Sequence, residues 1–176
     1  VDRIHFAAVD ATTWQQTPLH LWQLMAEALQ VATRGLGAPP ADTVVPLSEE
    51  ERVRRRLQSH IDWVCQTLGH QLIFVLDDFD VALSVGPLAM LEQLNALRSA
   101  GNRGRLAYLT FSKRLPHVLG RRYRLGESSK FYDLLRRNIY ALRPYAPDDG
   151  RQMLRHLNHQ AGAPLGRDAL GQMEFL

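Results

Sequence analysis

Gln71-Leu72-Ile73-Phe74-Val75-Leu76-Asp77-Asp78-Phe79-Asp80 is the stretch whose reading decides the fold. An apolar run stops abruptly at two adjacent carboxylates. Its length suits a strand buried on both faces, as in a parallel sheet with helices on either side. Such a strand carries its last side chains to the carboxyl edge of the sheet, where open α/β proteins bind ligands. Two acids there suit a hydrated Mg²⁺ and the water that attacks a phosphate. The plainer reading is a buried strand closed by an acidic turn.

On the N-terminal side, Ser48-Glu49-Glu50-Glu51 is a capping box, with serine at the N-cap and glutamate three residues later. The stripe Val53, Leu57, Ile61, Val64 and Leu68 predicts one apolar helix face, which Gly69 closes just before the strand. Arg52, Arg54, Arg55 and Arg56 belong to the other faces and are read as a solvated surface paired with Glu49 to Glu51. Further upstream, Arg3 to Val9 reads as a strand. Pro18 opens a helix over Leu19 to Thr33, and Gly35, Gly37, Pro39 and Pro40 end it in a loop reaching Pro46.

On the C-terminal side, Pro87 starts a helix buried through Leu88, Leu91, Leu94 and Leu97. Gly101 to Gly104 is a turn, and Arg105 to Phe111 a strand ending in Ser112 and Lys113. After a basic loop, Arg121-Arg122-Tyr123-Arg124, a serine caps a helix through Phe131, Leu134 and Leu135 that ends in Arg136 and Arg137. Asn138 to Leu142 reads as a fourth strand. Asp148 caps a further helix with Met153, Leu154 and Leu157 on its apolar side, and Asp168 to Leu176 looks helical again. Strands alternating with helices predict an α/β fold: a parallel sheet with right-handed crossovers.

The 176 residues suit one core domain plus the start of another lobe. The net charge is only +3, from 21 basic and 18 acidic residues, and Lys113 and Lys130 are the only lysines. No apolar run approaches the roughly 20 residues that span a bilayer, and no secretory signal opens the chain, so no membrane partner is expected. Cys65 is the only cysteine and forms no internal disulfide, which fits a reducing, cytoplasmic setting. The seven histidines show no metal-ligand spacing, and no Ser-His-Asp or Cys-His constellation stands out.

Taken together, the succession resembles the later part of an AAA+ or STAND-type P-loop ATPase. Asp77-Asp78 at a strand end looks like a Walker B motif, and the next strand ends in the polar cluster Thr110, Ser112 and Lys113. Ser128-Ser129-Lys130-Phe131-Tyr132 and Ala141-Leu142-Arg143-Pro144-Tyr145-Ala146-Pro147-Asp148-Asp149 occupy the places of the phrases that precede the helical lid in the bacterial STAND-like group. The resemblance spans about residues 3 to 170 and rests on order and spacing. It implies a three-layer α/β/α P-loop NTPase core over residues 1–146 and the start of a helical lid over 147–176.

The same resemblance implies ATP and Mg²⁺ as cofactors. Asp77 would hold the water shell of the metal, and Asp78 would orient or deprotonate the attacking water. Thr110 or Ser112 would be the polar group near the γ-phosphate. Arg136 or Arg137 would be the arginine finger that reaches a neighbouring subunit's nucleotide, which implies self-association through the ATPase domain. The implied role is a nucleotide-driven regulatory switch or assembly motor, with protein or nucleic-acid partners reached through other domains. A non-catalytic scaffold, and a DNA-binding ATPase using Arg121, Arg122 and Arg124, are the competing readings.

The chain departs from the family in one large respect: it has no Gly-x-x-x-x-Gly-Lys-Ser/Thr run. That loop cradles the phosphates through backbone N–H groups. In the family it precedes the segment matching Arg3 to Val9. A chain that opens on Val1 and closes on Met173-Glu174-Phe175-Leu176 is therefore expected to be a fragment of a longer protein, and inactive as it stands. Aspartate at position 78, where active members more often carry glutamate, has a shorter reach toward the water.

Overall fold

The computed structural model describes residues 3–37, 39, 47–98, 101–115, 118–119, 129–140 and 146–160, with the backbone alone at positions 136 and 147. Three parallel strands form one sheet in the order β1-β2-β3, with β1 at Ile4–Asp10, β2 at Gln71–Asp77 and β3 at Leu106–Thr110. The carboxylate-bearing strand is the middle one. Its register sets Asp10 beside Asp77, and Leu76 beside Thr110, at the carboxyl edge.

Local chemistry explains each covering helix. Helix α1 (Pro18–Ala32) begins on a proline, behind Thr17, whose hydroxyl accepts the His20 amide hydrogen (3.3 Å). It buries Leu21, Trp22, Met25 and Leu29, spaced for one helix face. Helix α2 (Glu49–Asp62) opens on the expected reciprocal box between Ser48 and Glu51, then relaxes into a π-helical turn at Trp63–Thr67. Gly69, at φ +72°, ends it in the left-handed conformation that glycine adopts without a Cβ clash. Helices α3 (Asp80–Val85) and α4 (Leu88–Leu97) meet at Gly86, where a Cβ would lie 2.3 Å from the Ala82 carbonyl oxygen. Helix α5 (Lys130–Arg136) is capped by the Ser129 hydroxyl and seats fully buried Phe131 edge-on against Phe79 and Tyr108.

One polar knot ties the α2 side to the turn before β3. Asn102, fully buried, donates to Asp62 Oδ1 (2.6 Å) and to the Leu97 carbonyl (3.2 Å), and accepts from Gln66 (3.0 Å). Its own carbonyl receives the amides of Arg105 and Leu106 (2.9 and 2.8 Å). This side chain can be buried because its amide donates and its oxygen accepts within the protein.

Among the described residues, helices cover one face of the sheet. Every strand residue in the buried cluster, from Ala7 and Val9 through Leu72, Phe74 and Leu76 to Leu106, points to the same side. On the other side Ile4, Phe6, Leu109 and Phe111 are 50%, 59%, 46% and 36% exposed, with half-buried Ile73 and Val75 between them. The expectation of a three-layer α/β/α core, with β2 buried on both faces, is therefore corrected to two layers among the described residues. The apolar run in β2 reflects strand propensity on both of its faces, but the helices that follow β1 and β2 return on one side of the sheet.

Of the expected fourth strand, Asn138 to Tyr140 follow α5 as exposed backbone outside any strand, and Ala141 and Leu142 lie outside the described residues. The chain divides into compact units Val1–Ile139 and Tyr140–Leu176. The second unit contains helix α6 (Pro147–Gln160), with Asp148 and Asp149 in its first turn and Met153 and Leu157 exposed. The helix expected from Asp168 lies outside the described residues. No helix among the described residues is long and apolar enough to cross a membrane.

Candidate functional site

The tip of β2 combines an exposed carboxylate with a strained turn. Asp77 is the last strand residue, and its Oδ1 accepts the Asp78 amide hydrogen at 3.0 Å. Asp78 then takes φ +48°, in the left-handed region that costs an L-residue energy and that aspartate tolerates better than most. Two backbone bonds clamp this turn. The Phe111 amide donates to the Leu76 carbonyl and the Phe79 amide to the Phe111 carbonyl, both at 2.9 Å. The strained residue is thus held in place by the ends of two adjacent strands, the pattern of an over-determined site.

Lys113 is the residue that engages this turn. Its ammonium stands 2.9 Å from Asp78 Oδ1 and 3.1 Å from Oδ2, with its own side chain mostly in solvent. The hydrogen bond and charge of Asp78 raise the Lys113 pKa above its ordinary value, with smaller contributions from Asp80 and Asp77. The sequence placed Lys113 in a polar cluster without giving it a role. The available signal was its position, since one of only two lysines in the chain sits just past a strand end.

Asp10 was also missed. It closes β1 as Asp77 closes β2, and the register puts their side chains next to each other on the uncovered face. The Thr12 hydroxyl and the Thr12 amide donate to Asp10 Oδ1 at 2.5 and 2.9 Å, and together they hold its carboxyl below the usual range. This bond to the loop after β1 orients a second carboxylate at the edge.

The other expected site residues are placed less tightly. Thr110 ends β3, half-buried, next to Leu76 in register. Ser112 is exposed, and its hydroxyl is turned away to donate to the Arg114 carbonyl (2.5 Å). Neither makes a hydrogen bond to Asp77 or Asp78. Arg137 is the exposed C-cap of α5, where a cation meets the negative end of the helix. Arg136 closes α5, and its side chain lies outside the described residues, as do Arg121, Arg122 and Arg124.

Among the described residues no three His, Cys, Asp or Glu side chains form a metal cage. A hydrated Mg²⁺ keeps several waters and takes one or two carboxylates plus substrate phosphates. Asp77 has one oxygen on the Asp78 amide and its other oxygen without a hydrogen-bond partner among the described residues, so it fits a water shell. Comparison with protein-family models, curated protein sequences and solved structures returned no match.

Proposed function

We propose that this chain is part of the ATP-binding core of an AAA+/STAND-like ATPase, a nucleotide-driven regulatory switch or assembly motor. The observation that supports it most is the tip of the middle strand: adjacent Asp77 and Asp78 at the carboxyl edge of a parallel sheet, the second strained and paired with a lysine from the neighbouring strand end. In this reading Asp77 holds the water shell of Mg²⁺, and Asp78 orients the water that attacks the γ-phosphate. Held through Asp77, such a metal would supply neutralisation of the charge that develops on the phosphate. Lys113 keeps Asp78 occupied when no nucleotide is bound, and Thr110 lines the same edge. Arg136 and Arg137 remain the candidates for contact with a neighbouring subunit's nucleotide.

The test is Mg-ATP binding and turnover in the full-length protein. Asp78→Asn should keep ATP bound while abolishing hydrolysis, and Asp77→Asn should weaken the magnesium dependence. Full-length protein with no measurable ATP affinity would end this reading. One observation also favours the non-catalytic scaffold: the Lys113–Asp78 pair satisfies the carboxylate with no metal or nucleotide. If Asp78→Asn leaves the full-length protein's function intact, the scaffold reading stands instead.

A further inference from the structure

At the opposite edge of the sheet, where the strands begin, the end of α1, the glycine-bearing segment after it and α2 line an open-sided cavity of about 640 Å³. Its place is fixed by the first strand, since the His5 Nδ1 lies 3.3 Å from the Ala32 carbonyl at the end of α1. Glu27, Gln30, Thr33 and Arg34 face it from the α1 side, and Arg56 and His60 from α2. The volume falls within the roughly 300–1,000 Å³ typical of small-molecule sites. A Cβ on Gly35 or Gly37 would meet nothing within 4 Å, so that wall is open for entry.

The charge on these walls is unbalanced. The sequence suggested that the α2 arginines pair with Glu49 to Glu51. Instead Glu51 is held by Ser48, whose amide and hydroxyl donate to its carboxylate at 3.3 and 3.0 Å. Among the described residues neither Arg34 nor Arg56 has an acidic partner within ion-pair distance, and Glu27 is the one acid facing the cavity. Arg34, Arg56 and Gln30 line the same space, and the planar guanidinium fork matches phosphate oxygens.

His60 fixes the α2 side of this wall to the end of α1. The Thr33 hydroxyl donates its only hydrogen to the Leu29 carbonyl (2.8 Å), so its 3.0 Å contact with His60 Nε2 requires that nitrogen to carry the proton. A second proton would go to Nδ1. Burial first, and the neighbouring Arg56 second, hold the His60 pKa below its ordinary value. The other charged or titratable groups nearby are Glu27, Arg34 and, beyond Ala32, the stacked His5–His70 pair.

We propose that this cavity binds a small phosphate-bearing anion through Arg34, Arg56 and Gln30, at a site separate from the Asp77–Asp78 edge. Inorganic pyrophosphate is the probe, titrated calorimetrically into the 176-residue chain at low ionic strength with EDTA present. Saturable one-to-one binding with a Kd below about 1 mM is expected. Arg34→Gln and Arg56→Gln should each weaken it at least about tenfold, a typical loss for one charge-assisted contact. Both side chains are exposed, so these variants should unfold at the wild-type urea midpoint, and Asp77→Asn should bind pyrophosphate as the wild type does.

No saturable binding, or binding unchanged in the Arg34→Gln/Arg56→Gln double variant, would overturn the proposal. So would loss of binding in Asp77→Asn, which would move the site to the carboxyl edge. Tighter binding of duplex DNA that depends on exposed Arg52 and Arg55 but not on Arg34 would also refute it, and would assign α2 to nucleic acid. Only the Asp77→Asn outcome bears on the nucleotide reading; the others leave it untouched, so the two can fail independently.

Discussion

Asp78 offers a direct way to separate strain from contact. At φ +48° a residue with a Cβ is held in a region that costs an L-amino acid roughly 1–2 kcal/mol per residue, with aspartate at the low end. Asp78→Gly removes that cost but gives the unfolded chain extra freedom of about 0.5–1 kcal/mol, so the two effects nearly cancel. Asp78→Val keeps the full cost and adds a β-branched side chain that resists the left-handed turn. Both variants lose the Lys113 contact equally, and their difference isolates the backbone. Asp78→Gly should fall within about 0.5 kcal/mol of the wild type and Asp78→Val about 1–2 kcal/mol below it. Urea unfolding followed by tryptophan fluorescence measures this; with an m-value of about 2 kcal/mol/M, the valine variant should unfold roughly 0.5–1 M earlier. Equal destabilisation by glycine and valine would refute the claim that backbone strain resides at position 78.

Three further outcomes follow from the geometry. Asn102→Ala strips Asp62, Gln66 and the Leu97 carbonyl of a buried partner and should lower stability by about 1–3 kcal/mol in the same urea assay. Burial, with Asp62 nearby, pushes the Cys65 thiol up to about 11, so the native protein should react with a thiol reagent at neutral pH at least about a hundredfold more slowly than the urea-unfolded chain. His60 has a folded-state pKa below its unfolded value, so the unfolded chain binds the extra proton first; stability should hold above the unfolded pKa near 6.5 and decline as pH falls below it. Urea midpoints from pH 8 to pH 5 should show that decline, and His60→Gln should flatten it.

Elements with strong local signals were legible in the sequence. The Ser48–Glu51 box, Pro18 and the apolar stripe after it, and the β2 run each carry their own start or stop chemistry, and each appears within a residue or two of its expected place. What was not legible depends on contacts distant in sequence. The apolar alternation along β1 and β2 is nearly the same on both faces, so nothing in it reveals that helices gather on one side only. The roles of Lys113 and Asp10 depend on register between strands that are tens of residues apart. The pairing expected for the α2 arginines failed because the same glutamates also serve as first-turn and capping residues, and the cap held Glu51.

The one-sided sheet also has a thermal signature. The heat-capacity increment of unfolding comes from apolar surface that is dry in the native state and wet in the unfolded one. Phe6, Ile4, Leu109 and Phe111 are already partly hydrated in the folded chain and contribute less to that difference than buried residues would. The stability curve should therefore be flatter in temperature than chain length alone suggests, with a smaller increment per residue than the usual ~12–15 cal/mol/K. A layer laid over that face would sharpen the curve, so calorimetry of the chain inside a larger polypeptide would report that the face is covered before any contact is mapped.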